Sequence, residues 1–285
     1  MNSAVVRDGP ACDVTPGKGR IGVMTCLMSL YRFRRLIWEL ALLQLRLRHA
    51  GSYLGALWVI VAPLAVLGSY VLLFDGVLRV QPNEAAGRFD YGIMIACALL
   101  PWAGFSDGVL RGSSSILTQR NLLKSHVFPV ELLPVVTTVS ALLSQVIGTC
   151  LLAGWLFYQG KLGLAAFSLP ILIVIQLSFM MGMVWMLACI NILIRDISPV
   201  LSLGMVVLML LSPIAYTSSM VPSHLWLLAN LNPFGTFIEA YRSAMMFNVS
   251  PSIGTILVWG SLSLATLHIG YRYFMRMRRL LPDYV

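Results

Sequence analysis

Long apolar segments alternate with short polar connections along most of this 285-residue chain. A helix of about 20 apolar residues crosses the roughly 30 Å of hydrocarbon in a bilayer. Six segments approach that length: Tyr53–Phe74, Tyr91–Leu110, Leu132–Tyr158, Phe167–Ile194, Val200–Tyr216 and Ile253–Phe274. The second and fifth are the weakest, because Pro101 and Asp107 interrupt one and the other is short. Backbone groups in lipid need partners within their own segment. The pattern therefore predicts an all-α polytopic membrane protein with six transmembrane helices.

Two further segments have features of their own. Tyr31–Arg48 carries apolar residues on one helical face and arginines on the other, which is typical of an amphipathic helix lying in the membrane interface. Residues 217–252, between the fifth and sixth spans, are too long and too apolar for an ordinary loop, and Pro222 and Pro233 divide them. We expect two short re-entrant helices there, with a folded cap on the outer face as the alternative.

The basic residues predict the orientation. With six crossings and a cytoplasmic N-terminus, 16 of the 20 Lys and Arg residues fall inside, eight of them before residue 51 and eight after, and four fall outside. Cytoplasmic connections carry the excess of Lys and Arg in membrane proteins, so we expect both termini inside. The net charge of +9 then reflects topology and attraction to anionic lipid rather than nucleic-acid binding.

The composition excludes an ordinary soluble protein. Hydrophobic residues make up 58% of the chain and charged residues 11%, whereas a soluble domain carries roughly 25% charged residues. The five cysteines form no CxxC pair and predict neither disulfides nor a metal site. No cleaved signal peptide is expected. We divide the chain into a cytoplasmic tail (1–30), an interface helix (31–50), a six-helix transmembrane domain (51–275) and a cytoplasmic C-terminus (276–285).

Catalytic and energy-coupling motifs are missing from the sequence. There is no Walker A loop, HExxH, GxSxG or pair of carboxylates, and the four histidines lack metal-ligand spacing. Asp107 is the main intramembrane acid, and its i, i+4 neighbour Arg111 is expected to pair with it. A carrier driven by protons or sodium usually needs buried ionisable groups. We therefore expect no cofactor and no metal on this chain, and an energy source on another chain.

An ordered series of short motifs runs through the chain. It reads, in order, YRxRxLIWEL from Tyr31, LRxxGSYLGxLW from Leu47, LLPWxxF from Leu99, NLLKSxxFPxELLP from Asn121, NILIRDI from Asn191, SPIAY from Ser212, MVP from Met220 and LNPFxxxIEAYR from Leu231. From about residue 31 to residue 275, the chain resembles the membrane subunit of type-2 ATP-binding cassette exporters of polysaccharides such as O-antigen, capsule and teichoic acid. The N-terminal extension of roughly thirty residues departs from that family.

The resemblance implies a homodimer of six-helix subunits that pairs with two copies of a separate ATPase, which binds ATP and Mg. The cargo would be a long glycan on undecaprenyl diphosphate or another lipid carrier, exported across the bacterial inner (plasma) membrane. This chain would form the channel and would be no enzyme by itself. An exporter of the same architecture that moves drugs or lipids is the alternative. A membrane-embedded glycosyltransferase would need paired acids or a DxD motif, which the sequence lacks.

The resemblance also implies contacts with the ATPase. The segment between spans two and three would couple the two chains through Asn121, Leu122, Lys124, His126, Phe128, Pro129 and Glu131. Arg195 and Asp196 offer a second cytoplasmic contact. A plain basic loop and a local ion pair are the respective alternatives.

Three further groups of residues are candidates for cargo handling. Aromatic faces suit the C–H surfaces of sugars, so we expect the glycan channel to use Trp102, Phe105 and Tyr216, with Trp58 and Tyr70, although packing or a membrane aromatic belt would also explain them.

Arg46, Arg48 and His49 are candidates for the anionic carrier headgroup, with ordinary membrane anchoring as the alternative. Glu239 and Arg242, spaced i, i+3, are expected to hold the outer re-entrant helices together or to act as an outer gate.

Overall fold

The computed structural model describes residues 23–48, 51–77, 90–119, 129–194, 196–214 and 233–278. These residues form α1 (Val23–Arg32), α2 (Arg34–Leu47), α3 (Trp58–Val71), α4 (Asp90–Thr118), α5 (Leu132–Tyr158), α6 (Leu169–Leu193), α7 (Ile197–Leu211), α8 (Pro233–Met246) and α9 (Ile253–Met277). Short 3-10 turns precede α3 and α6 at Gly55–Leu57 and Leu164–Ser168. No strand occurs within these ranges, so the predicted all-α fold class is confirmed.

Four helical segments of the described chain are long and apolar enough to cross a membrane. They are Tyr91–Thr118, Leu132–Tyr158, Leu164–Leu193 and Ile253–Met277, which correspond to the second, third, fourth and sixth predicted spans. The second, which we expected to be weak, is a continuous 29-residue helix in spite of Pro101. In the first and fifth predicted spans the regular α-helix is shorter than the predicted segment: α3 has 14 residues and α7 has 15. Six spans, the re-entrant helices and the orientation therefore stay predictions.

Small residues let the long helices approach closely. Gly104, Gly108 and Gly112 recur at every fourth position of α4, and a Cβ at Gly104 would lie 2.0 Å from Oε1 of Gln145 on α5. A Cβ at Gly108 would lie 2.2 Å from the terminal methyl carbon of Met180 on α6. Lipid tails are as apolar as leucine side chains, so helices associate in membranes through such close packing and through hydrogen bonds between helices.

The contact between α6 and α9 is the closest of these crossings at the backbone level. A Cβ added at Gly182 would lie 2.3 Å from the carbonyl carbon of Thr266, and one added at Gly270 would lie 2.1 Å from the carbonyl oxygen of Gly182. Backbone atoms cannot move aside as the end of a side chain can. The two glycines therefore fix the distance between the fourth and sixth predicted spans.

The N-terminal helices lie against this bundle. The interface helix is broken at Phe33, so that α1 and α2 are separate, and α1 occupies part of the stretch that we expected to be a tail. Along α2, Ile37 and Ala41 are buried, whereas the arginines are exposed, as the amphipathic pattern predicted. Leu43 and Leu47, which the helical period places on the apolar face, are 48% and 60% exposed. In α1, burial raises the pKa of the Cys26 thiol to about 12, so it stays protonated at neutral pH.

We predict that Gly270→Ala destabilises the protein by about 1–3 kcal/mol, because the new methyl group overlaps backbone that cannot relax freely. The measurement is the melting temperature of the purified full chain in detergent. Gly260→Ala is the matched control on the same helix, since a Cβ there meets nothing within 4 Å. Equal melting temperatures for the two variants would show that the α6–α9 contact is looser than described.

Candidate functional site

The end of the predicted coupling segment is tied to three helices. Glu131 immediately precedes α5 and is only 4% exposed. Nη1 of Arg278, which follows α9, donates to Oε1 of Glu131 over 3.3 Å. The indole N–H of Trp185 on α6 donates to the backbone carbonyl of Glu131 over 3.1 Å. Glu131 therefore connects the start of α5 to α6 and to the end of α9.

The second predicted cytoplasmic contact lies where α6 turns into α7. Asp196 is exposed and its side chain makes no capping hydrogen bond to α7. The neighbouring Asn191 is fully buried: its Nδ2 donates to the carbonyl of Ser113 on α4 over 3.1 Å, and its Oδ1 accepts from the hydroxyl of Ser198 over 3.0 Å. Asn191 thus fixes the α6–α7 connection to α4, a role that its place in the NILIRDI motif did not reveal.

Arg48, a candidate for the carrier headgroup, belongs to an ion cluster. Its Nη2 lies 2.7 Å from Oδ1 of Asp107, and Nε of Arg111 donates to the same oxygen over 2.9 Å. A second hydrogen bond joins Nη2 of Arg111 to Oδ2 of Asp107. The predicted i, i+4 pair is confirmed, and the structure adds Arg48 from the end of the interface helix. Arg46 is exposed on α2 and lies outside this cluster.

A buried amide network, which the sequence analysis missed, joins four helices. The side chains of Gln145 on α5 and Gln176 on α6 exchange hydrogen bonds of 2.9 and 2.8 Å. Gln176 also donates to the carbonyl of Pro101 on α4, and the hydroxyl of Tyr241 on α8 donates to Gln176 over 2.8 Å. Single glutamines within apolar helices could have pointed to this network, because amide side chains buried in a membrane protein find hydrogen-bond partners on other helices.

The predicted channel aromatics on α4 lie in the core of the chain. Trp102 and Phe105 are each 3% exposed. Phe234 of α8 packs against both, with ring centroids 5.5 Å from Trp102 and 4.1 Å from Phe105. Within one chain these rings therefore pack against other aromatic side chains, which was the alternative explanation for them. Trp58, at the start of α3, is partly exposed.

Arg242 is fully buried on α8 and holds that helix to the segment that follows α7. Its Nη2 donates to the backbone carbonyls of Pro213 and Ile214, the second over 3.1 Å, and its Nη1 lies 3.4 Å from a carboxylate oxygen of Glu239. Both carbonyls lie just after α7, which ends at Leu211. The contact shown is therefore between α8 and the segment that follows α7. The other predicted re-entrant piece lies outside the described residues.

Several predicted site residues are also outside the described part of the chain. These are Asn121, Leu122, Lys124, His126 and Phe128 of the coupling segment, together with Arg195, His49 and Tyr216, and the side chain of Tyr70. Pro129 is described and lies two residues before Glu131. Among the described residues, no group of three or more His, Cys, Asp or Glu side chains is placed to hold a metal ion.

Known membrane transporter proteins resemble this chain in sequence. The sequence profile of the ABC-2 type transporter family matches residues 35–246. The chain is 29% identical over 244 residues to a Myxococcus xanthus protein named O-antigen export system permease protein RfbA, covering 84% of this chain and 91% of the relative.

Two Klebsiella pneumoniae proteins of the same name are each 26% identical to it. These matches cover 71% and 72% of this chain, and 76% and 78% of the relatives. A family match over most of the chain, together with four helices suited to crossing a bilayer, identifies this multi-pass membrane protein as a member of the ABC-2 type transporter family.

Proposed function

We propose that this chain is the channel-forming permease subunit of an ATP-driven exporter that moves lipid-linked surface polysaccharide, of the O-antigen type, across the bacterial inner membrane. The observation that carries the proposal is the likeness to three proteins named as O-antigen export permeases, which extends over 71–84% of this chain. ATP and Mg would bind to a separate ATPase, because this sequence contains no phosphate-binding loop.

The proposed topology has six spans with both termini in the cytoplasm. Helical turns continue without a break from Gly55 through α3 to Val77, where the last six residues are π-helical. Twenty-three helical residues rise about 34 Å at about 1.5 Å each, which is enough for a first span. The distribution of Lys and Arg supports the orientation. We propose α7 as the fifth span, with α8 as part of a re-entrant pair outside it.

The proposed assembly is a homodimer with two ATPase subunits that contact residues 121–131. Glu131 supports this proposal, because this last residue of the segment is hydrogen-bonded to Arg278 and Trp185. A displacement of Glu131 would therefore act on α5, α6 and α9. Arg195 and Asp196 would form a second contact beside the α6–α7 connection, which Asn191 fixes to α4.

The proposed cargo path lies between two copies of the chain. Trp102 and Phe105 are occupied in packing within one chain, so they would line a conduit only after helices separate. Trp58, Tyr70 and Tyr216 stay candidates for contact with sugar. Arg46 and His49 stay candidates for the carrier headgroup, whereas Arg48 would first have to leave Asp107.

Deletion of the gene tests the cargo directly. The proposal expects loss of surface polysaccharide, with lipid-linked glycan accumulating inside the cell. Full-length glycan at the surface would contradict it, and altered drug or lipid export in that strain would favour the alternative exporter.

We predict that Lys124→Glu combined with Phe128→Ala lowers transport-coupled ATP hydrolysis by about tenfold, which corresponds to roughly 1.4 kcal/mol of lost contact energy. The measurement is ATP hydrolysis by the purified complex in proteoliposomes, together with recovery of the ATPase on the tagged permease. Lys161→Glu is the matched control, because Lys161 is an exposed lysine in the connection between α5 and α6. Unchanged hydrolysis and recovery in the double variant would contradict the coupling assignment.

We also predict that Arg278→Gln lowers the melting temperature and weakens coupling, because it leaves the buried Glu131 carboxylate without its cation. Loss of one partner of a buried hydrogen-bonded pair costs about 1–3 kcal/mol. Arg276→Gln removes an exposed charge from the same helix and serves as the control. The double variant Glu131→Gln/Arg278→Gln should be more stable than the single variant Arg278→Gln. Additive losses would show that the two side chains do not interact.

A further inference from the structure

A cavity of about 330 Å³ lies between α3, α4 and α5, beside the end of α2. Apolar side chains of the three helices, including Val59, Ala62, Pro63 and Leu100, form most of its wall. Arg48 and Asp107 form a charged end, and Ser144 and Gln145 are the polar residues contributed by α5. The cavity is therefore amphiphilic: a hydrocarbon chain matches its wall, and an ionic group matches its charged end.

The ion cluster at the charged end carries one more positive than negative charge when Arg111 is counted, which bonds to Asp107 without lining the cavity itself. Asp107 accepts hydrogen bonds from both Arg48 and Arg111, so one carboxylate is shared by two guanidinium groups. The three side chains are partly exposed, at 33%, 31% and 26% for Arg48, Arg111 and Asp107. Arg111 also begins the polar final turns of α4, which places the cluster at the boundary of the apolar part of that helix.

We propose that this cavity binds one anionic phospholipid of the surrounding bilayer. Its phosphate would bind Arg48 in competition with the carboxylate of Asp107, which Arg111 would keep occupied, and the first part of one acyl chain would occupy the apolar space. Guanidinium groups bind phosphate oxygens through paired, charge-assisted hydrogen bonds. Basic pockets between transmembrane helices at the cytoplasmic leaflet bind anionic lipid headgroups, and the proposed orientation puts this end in that leaflet.

The size and the wall of the cavity favour a bilayer lipid over the exported cargo. The space of about 330 Å³ suits the first part of one acyl chain better than the several rings of a glycan. Sugar hydroxyls would need several polar partners, whereas the amide of Gln145 is already paired with Gln176. The lipid would link the interface helix to α4 through Arg48.

The test measures lipid binding to the full chain in nanodiscs by native mass spectrometry, with phosphatidylglycerol and with phosphatidylcholine. We expect one tightly held phosphatidylglycerol per chain. Arg48→Gln should weaken its binding by about tenfold, whereas Arg35→Gln, which removes an exposed arginine from the same helix, should change it by less than about twofold. Asp107→Asn should strengthen binding, since it removes the competing carboxylate.

A second pair of variants keeps the proposal testable if the charge variants fold poorly. Ala62→Leu fills the cavity from α3, whereas Ala65→Leu adds the same side chain at an exposed position of that helix that does not line the cavity. Only Ala62→Leu should release the lipid.

The proposal would be overturned if both leucine variants kept the phosphatidylglycerol equally well. It would also be overturned if phosphatidylcholine bound as tightly as phosphatidylglycerol. So would binding of a polyprenyl diphosphate in place of phosphatidylglycerol, which would assign the cavity to cargo. None of these measurements depends on polysaccharide export. The lipid-binding proposal and the proposed function are therefore tested independently.

Discussion

Helices in a bilayer must satisfy their own backbone groups, and they gain little hydrophobic free energy from contact with one another. What holds this chain together in lipid is therefore close packing at small residues and a few buried polar contacts. Gly182 and Gly270 bring α6 and α9 into backbone contact, and the glycines of α4 leave room for side chains of α5 and α6. A side chain added at such a crossing would push the two helices apart.

Among the described residues, several buried polar contacts join different helices. The Gln145–Gln176 pair reaches Tyr241 of α8, and Arg242 reaches the segment that follows α7. Glu131 connects the start of α5 to α6 and to the end of α9. These contacts lie at the start of α5, near its middle and beside α8, so they connect the helices at several levels of the bundle. That property suits a subunit whose energy is proposed to arrive from another chain.

The sequence predicted the long helices because hydrophobic length alone identifies them, and it placed Asp107 beside Arg111 because helical spacing does so. It could not show that Arg48 completes that cluster, since the two positions are 59 residues apart and meet only through tertiary packing. The aromatic side chains of α4 were assigned from residue type. Their burial against Phe234 depends on how α8 returns to the bundle, which no local pattern encodes. The break at Phe33 was missed for a similar reason, because the apolar pattern continues across it.

The central claim is that a separate motor contacts the inner face of this subunit through residues 121–131. The most direct measurement places one cysteine at position 124 (Lys124→Cys) in a cysteine-free chain and treats sealed membranes with a maleimide that cannot cross them. Inverted vesicles, whose cytoplasmic face points outward, should be labelled, whereas intact spheroplasts should not. Labelling in spheroplasts instead would put the segment on the far side of the membrane from any ATPase and would contradict the account.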